Sequence, residues 1–277
     1  MKLFILMLAF CFCLQNSFAQ QLKTPQPSPA QTLKQDFGLG NIEINYSRPG
    51  VKGRKIFGEV VPFGKVWRTG ANSATTISFS DDVVIGGVKV APGKYGLLTI
   101  PNANEWTVII SKQTDVTSPD EYKQDQDVVR VQAKTLSLTS KVENFTIGVN
   151  QISNTGCELT MQWDLTGVSI PVSTEIDTKV MKQIESIFTK DNRPYYNAAY
   201  YYMENGKDLN QALEWFNKAA DNNPNAYWVH YQKARCLQKL GRKKEAMETS
   251  MKSLELARKD NDEAYINNNL KLQSELK

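Results

Sequence analysis

The spacing of apolar residues changes once along this chain, near residue 173, and that change sets what the chain can fold into. From about residue 36 to residue 172 the apolar side chains recur at every second position. Ile42, Ile44 and Tyr46 alternate with Glu43, Asn45 and Ser47, and Ile77 and Phe79 repeat the pattern. Trp106, Val108 and Ile110 follow, then Val129, Val131 and Ala133, then Phe145, Ile147 and Val149. The longest run sets Cys157, Leu159, Met161, Trp163 and Leu165 against Glu158, Thr160, Gln162, Asp164 and Thr166. A period of two puts one face of a strand in a core and the other in water. Gly86-Gly87 joins two strand-like runs, because glycine accepts the positive φ that a two-residue hairpin needs; the stretch Ala91–Gly96 is a second turn. Many short strands without intervening helices predict an all-β antiparallel sandwich or jelly-roll-like domain over 36–172.

From Thr174 the period is helical: Ile176, Val180, Ile184, Ile187 and Phe188 share one face, and Thr174 with Asp177 fits a capping box. An internal repeat follows. Ala212 and Ala246 occupy equivalent places 34 residues apart, which is the tetratricopeptide period. The first copy has Ala212, Phe216, Ala219 and Pro224; an earlier helix supplies Tyr195, Ala198, Ala199 and Tyr202 if one residue is inserted near Gly206-Lys207. The second copy keeps Gly241 and Ala246 but has Ser253 in place of the second alanine. Small residues at these positions let paired helices approach closely. Residues 262–276 read as a closing helix, so 173–277 is expected to be an all-α tetratricopeptide-like array. An envelope protein or peptide is its expected partner, with Tyr195, Tyr202, Tyr227 and His230 as candidate contacts.

Residues 1–19 carry the pattern of a cleavable signal peptide: Lys2, the apolar run Leu3–Leu14, then Ser17-Phe18-Ala19 before Gln20. Phe10 before Cys11 and Phe12 before Cys13 argue against a lipoprotein signal. No later segment is apolar enough to span a bilayer, so the mature chain is expected to be soluble and periplasmic or secreted. Residues 20–35 are polar and Pro-rich and read as an extended linker. Once Cys11 and Cys13 leave with the signal, Cys157 and Cys236 remain, in segments of opposite character, and make no disulfide framework.

Charge is concentrated in one place. Residues 46–72 hold six Lys/Arg, one acid (Glu59), five glycines and two prolines, in a chain whose formal net charge is +4. Three readings compete. An acidic stretch with Asp115, Asp120, Glu121, Asp125 and Asp127 would neutralise the segment internally with modest surface pairs. Alternatively, Arg48, Arg54, Lys65, Trp67, Arg68, Asn72 and Ser73 would line a carbohydrate or small-anion pocket, with Arg forks, amide and hydroxyl groups and an aromatic face. Third, arginines and aromatics would anchor a protein. The string Gly58–Val66 is no phosphate loop: five residues separate its glycines, and Val66 stands where a magnesium-binding Ser or Thr is required. Near-neutral charge and export argue against nucleic acid.

The single histidine, His230, lies in the helical region, so the β-region lacks His-based triads and His-rich zinc sites. Asp81-Asp82 are adjacent, which does not suit the facing carboxylates of glycoside cleavage; Glu43 or Glu105 would need a partner the sequence does not identify. Residues 115–127 lack the order of a calcium loop. Neither a catalytic residue nor a cofactor or metal motif is assigned.

Three strings, Tyr46–Pro49, Gly53–Gly58 and Val61–Asn72, continued by Pro92–Tyr95 and Glu105–Val108, resemble an exported bacterial family, the domain of unknown function 2911. The resemblance covers roughly 36–172. It implies a secreted β-domain of a Gram-negative envelope, often with a helical tail, and no particular activity. The expectation is therefore an exported binding or scaffolding protein. The alternative is an enzyme or binder acting on envelope carbohydrate or an anionic small molecule at 46–72.

Overall fold

The computed structural model describes residues 24–188 and 194–277, and the chain divides into two compact units, one ending at Ile176 and one starting at Asp177. The expected signal peptide lies outside the described residues.

The first unit is an antiparallel sandwich. One sheet has six strands in the order β1 (Ala30–Phe37), β2 (Gly40–Ser47), β3 (Thr76–Phe79), β6 (Gly93–Pro101), β7 (Glu105–Ser111) and β8 (Asp127–Lys134). The other has four, in the order β5 (Val88–Val90), β4 (Val83–Ile85), β10 (Gly156–Ser173) and β9 (Leu136–Asn150). Their facing sides form one core: Ile42, Ile44, Ile77, Leu97, Trp106, Val108 and Val129 from the first, Ile85, Phe145, Ile147, Leu159, Met161 and Trp163 from the second. Gly86 and Gly87 turn the β4–β5 hairpin at φ of 58° and 79°, as their sequence requires.

Several expectations are corrected. The linker expected over 20–35 gives way to strand at Ala30, because β1 is an edge strand pairing with β2 along its whole length and can carry polar residues on its exposed face. Strand β10 runs to Ser173, so the β-unit extends past 172, and the following helix starts at Asp177. The Thr174 hydroxyl donates to the Asp82 carbonyl at 2.8 Å. Leu165, expected in the core, is exposed. The pairing of β10 with β9 shifts on both sides of Asp164, whose φ is +55°, and the inward phase passes from 157–163 on odd residues to Val168, Ile170 and Val172 on even ones. The extra residues of the irregular pairing lie on β9, while on β10 the left-handed backbone at Asp164 breaks the alternation, so the side chains beyond it change faces.

Strands β6 and β7 are buried on both sides. On the face away from the sandwich core, Leu98 and Ile109 pack with Val116, Val66, Ile100 and Tyr122, so the loop after β7 folds back over the sheet. Gly96 permits this: a Cβ there would stand 2.0 Å from the Gln113 carbonyl oxygen.

The second unit is helical: α1 (Asp177–Phe188), α2 (Tyr195–Glu204), α3 (Leu209–Asn222), α4 (Tyr227–Lys239), α5 (Lys243–Lys259) and α6 (Glu263–Leu276). Helices α2/α3 and α4/α5 are consecutive antiparallel pairs and α6 packs on α5. Ala199, Ala212, Ala234 and Ala246 are fully enclosed between them. Asp208 caps α3 and Asp262 caps α6, each accepting from backbone N–H groups of the first turn. Where the second copy departs from the repeat pattern, polar bonds replace apolar contact: Ser250 donates to Asn269 Oδ1 and Asn269 Nδ2 to Ser253 Oγ, both at 2.9 Å and all three residues buried. Ala212→Leu is expected to destabilise the helical unit by about 1–3 kcal/mol through overpacking, read from the midpoint of its urea transition, whereas Asn217→Leu on the exposed face of the same helix should leave it unchanged.

Candidate functional site

The basic segment 46–72 is folded into the sandwich rather than displayed on it. At its first end it lies along β9, an edge strand. Phe145 N–H donates to the Pro49 carbonyl (2.9 Å) and Val51 N–H to the Glu143 carbonyl (2.8 Å). The Tyr46 hydroxyl accepts from Ile147 N–H at 3.0 Å. At its other end it lies along β6: Trp67 and Thr99 exchange both backbone bonds, at 2.7 and 3.0 Å, and Gly64 N–H donates to the Pro101 carbonyl. The segment thus joins the edge of one sheet to a strand of the other.

Most of its apolar residues point inward; Val60 and Phe63 are exposed. Val51, Ile56 and Val61 are buried in the sandwich core, with Phe57 and Trp67 packed against it. Trp67 stacks on Trp163 at 5.9 Å and meets Phe145 edge-on at 5.0 Å; Phe57 lies 4.8 Å from Trp106. Offset and edge-to-face geometries of this kind favour aromatic pairs beyond their burial. The Trp67 indole N–H donates to the Gly70 carbonyl at 3.0 Å.

The arginines serve the backbone. Arg48 donates from Nε to the Phe145 carbonyl (3.0 Å) and from Nη2 to Thr146 Oγ1 (2.7 Å). Arg54 donates to the carbonyls of Gly50 (2.6 Å) and Val51 (3.1 Å). Arg68 donates from Nη1 to the Thr117 carbonyl. Asn72, at φ +58°, donates to the Ser28 carbonyl at 3.0 Å, and Ser73 is exposed on the surface. None of the three arginines is in a salt bridge with an acid among the described residues, so the expected neutralisation by Asp120 or Asp125 is replaced by bonds to carbonyl oxygens. The reason is geometric. An irregular segment leaves carbonyls unmatched by a ladder, and a guanidinium supplies up to five donors to satisfy them.

Beside this segment lies a cavity of about 430 Å³ lined by Val60, Pro62, Lys65, Val66, Trp67, Arg68, Thr117, Pro119 and Asp120. Its second wall is the turn at Pro119–Glu121, closed by a capping box in which Glu121 accepts from Thr117 and Ser118 N–H groups. Those bonds, foremost the Thr117 amide, with a smaller contribution from the Arg68 charge, hold the Glu121 carboxyl below its usual range. Lys65, Trp67 and Arg68 therefore share a site. Arg48 and Arg54 are bonded to the backbone at the β9 end of the segment, and Asn72 and Ser73 lie away from the cavity lining.

In the helical unit the tyrosines divide between two faces. Tyr195 packs against the helical core, Tyr202 meets Trp215 edge-on at 4.7 Å, and the Tyr227 hydroxyl donates to Asp262 at 2.9 Å. His230 is 3 % exposed and bonds the Pro224 carbonyl through Nε2 at 2.8 Å; a carbonyl only accepts, so the neutral ring carries its proton there. Burial lowers the His230 pKa. These four residues hold helices together.

A second set of tyrosines is partly exposed on the neighbouring face; Tyr196 and Tyr231 of this set also pack on the helical core, and Tyr265 meets Tyr227 edge-on at 5.1 Å. Helix α4 touches both α2 and α6, which gives the three a common face. It carries Tyr196 and Tyr200, stacked at 6.3 Å, with Tyr231 and Tyr265 at 5.5 Å, and Arg235 paired to Glu204 at 3.1 Å. A cavity of about 410 Å³ between α4 and α6 continues it, lined by Tyr231, Arg235, Gln238, Asn268, Lys271 and Glu275 among others. Tyr196 differs from Tyr195 by one position, which on a helix is a rotation of about 100°.

Both cysteines are buried free thiols, and burial pushes the pKa of each up to about 11. Among the described residues no group of His, Cys, Asp and Glu is arranged to hold a metal ion. No described helix is long and apolar enough to cross a membrane.

Residues 28–172 match the family model described as "Protein of unknown function (DUF2911)". Residues 193–226 and 229–260 match the tetratricopeptide repeat. No curated protein matches the chain.

Removing the ring that joins the two sheets should be costly. Trp67→Ala is expected to destabilise the β-unit by about 3 kcal/mol or more, whereas Lys65→Ala, which removes an exposed and unpaired side chain, should shift it by about 0.5 kcal/mol or less. Urea unfolding of the two variants beside the parent protein checks both values.

Proposed function

Because the chain belongs to the DUF2911 family and ends in tetratricopeptide repeats, we propose that it is an exported binding or scaffolding protein whose helical unit holds an envelope protein or peptide. The observation that carries this reading is the tyrosine-lined face of α2, α4 and α6. Tyr196, Tyr200, Tyr231 and Tyr265 come from three successive first helices onto one common face. Tyrosines offer large contact area, few rotatable bonds to fix and a hydroxyl for polar contact, and they are enriched at interfaces. Arg235, Lys271 and Glu275 provide a polar margin. Export is supported by the run Lys2, Leu3–Leu14 and Ser17-Phe18-Ala19, from which the mature chain begins at Gln20.

Tyr200 is the most open of the four tyrosines at 41 % exposed, and contributes least to the fold. In affinity capture from a periplasmic extract, Tyr200→Ala combined with Tyr231→Ala should retain about tenfold less of any protein held by the parent, and Tyr200→Ala alone, at an exposed ring, should lose part of that retention with the melting temperature unchanged. Equal retention would reject the tyrosine face as the binding surface. Sequencing the N-terminus of the protein purified from its native envelope should read from Gln20; a chain still starting at Met1 would reject export.

A further inference from the structure

The cavity between Val60–Arg68 and Thr117–Asp120 lies in the β-unit and is independent of the helical face. We propose that it is a binding site for a small organic monoanion with an aliphatic body, such as a short-chain carboxylate. Its volume, about 430 Å³, falls within the usual range for small-ligand sites. Val60, Pro62, Val66 and Pro119 give it apolar walls, and Val60 is 41 % exposed at that surface. Two cations line it, Lys65 and Arg68, and neither is in a salt bridge among the described residues. Arg68 has one bond, to the Thr117 carbonyl, while its Nε is buried with no acceptor. Asp120 contributes one carboxylate to the lining, and the neighbouring Glu121 is already held by the Thr117 and Ser118 N–H groups, so Lys65 and Arg68 are the groups that meet an anion.

The backbone decides which anion. A phosphate site is built from free N–H groups converging on one point. Of the lining residues, Val60, Val61, Trp67, Thr117 and Asp120 donate their N–H groups to acceptors of the chain itself, and Pro62 and Pro119 have none. Recognition is left to two side-chain cations beside apolar walls. That arrangement suits a singly charged carboxylate carrying a hydrocarbon tail; a compact polyanion would find no amide cradle. The tail lies along Val60, Val66 and Pro119 while the carboxylate meets Lys65 and the free edge of Arg68.

Calorimetric titration of the full-length mature protein at low salt tests the site with three probes: hexanoate, its neutral counterpart hexanamide, and inorganic phosphate. Hexanoate should bind saturably, with the other two weaker by about tenfold or more. Lys65→Gln should weaken hexanoate by about fivefold at an unchanged melting temperature, and Asp120→Asn should tighten it. Absence of saturable hexanoate binding overturns the proposal, as does phosphate or hexanamide binding equally well, or a Lys65→Gln protein with the parent's affinity. Alanine at Tyr200 and Tyr231 should leave hexanoate binding intact, which separates this site from the helical one.

Discussion

Trp67, carried on a loop, stacks on Trp163 of the four-stranded sheet while its backbone pairs with Thr99 of the six-stranded one. One residue thereby ties both layers of the sandwich. Phe57, Phe145 and Trp106 complete the cluster, drawing on two loop residues and both sheets. Such a cluster forms only when the segment 46–72 lies in place, so the sandwich closes cooperatively with its longest irregular element. Side chains with so many near neighbours leave little free volume, and a missing ring would open a void that the surrounding rings fill only in part.

The charge of that segment follows from the same requirement. A crossing between two sheets has no ladder of its own, yet its carbonyls and those of the β9 edge still need donors. Arg48, Arg54 and Arg68 supply them within a few residues of where they are needed. An edge strand left bare invites pairing with another chain, and here the 49–51 stretch occupies the β9 edge at 143–145. The three lysines of the segment have no such bond among the described residues: Lys55 pairs with Glu59 at 3.3 Å, and Lys65 lies in the cavity.

The sequence made the all-β and all-α halves legible because each rests on a local period. The alternation of 157–163 is real, and Gly86-Gly87 turns a hairpin as its composition requires. The period fails at Leu165, because the left-handed backbone at Asp164 reverses the faces and nothing in the residue types marks it. It missed β1, whose polar edge reads like the linker before it, and it missed the double burial of β6 and β7, which depends on a distant loop crossing Gly96. The arginine partners were hidden for a deeper reason. A carbonyl is present at every residue, so a bond from a side chain to the backbone leaves no complementary letter in the sequence, whereas an acid does. In the helical unit the repeat period located the helices, but the choice between Tyr195 and Tyr196 for the open face needs helix rotation fixed to within one residue.

Amide hydrogen exchange on the β-unit tests most directly whether this loop belongs to the core. The N–H groups of Val51, Trp67 and Phe145 each donate across the crossing, to Glu143, Thr99 and Pro49. The account predicts that they exchange only with the same deep opening that exposes Ile44 on β2 and Val108 on β7. Exchange of Val51 and Trp67 about a thousandfold sooner than those two core strands would contradict it, and would make the basic segment a surface loop laid over a sandwich that is complete without it.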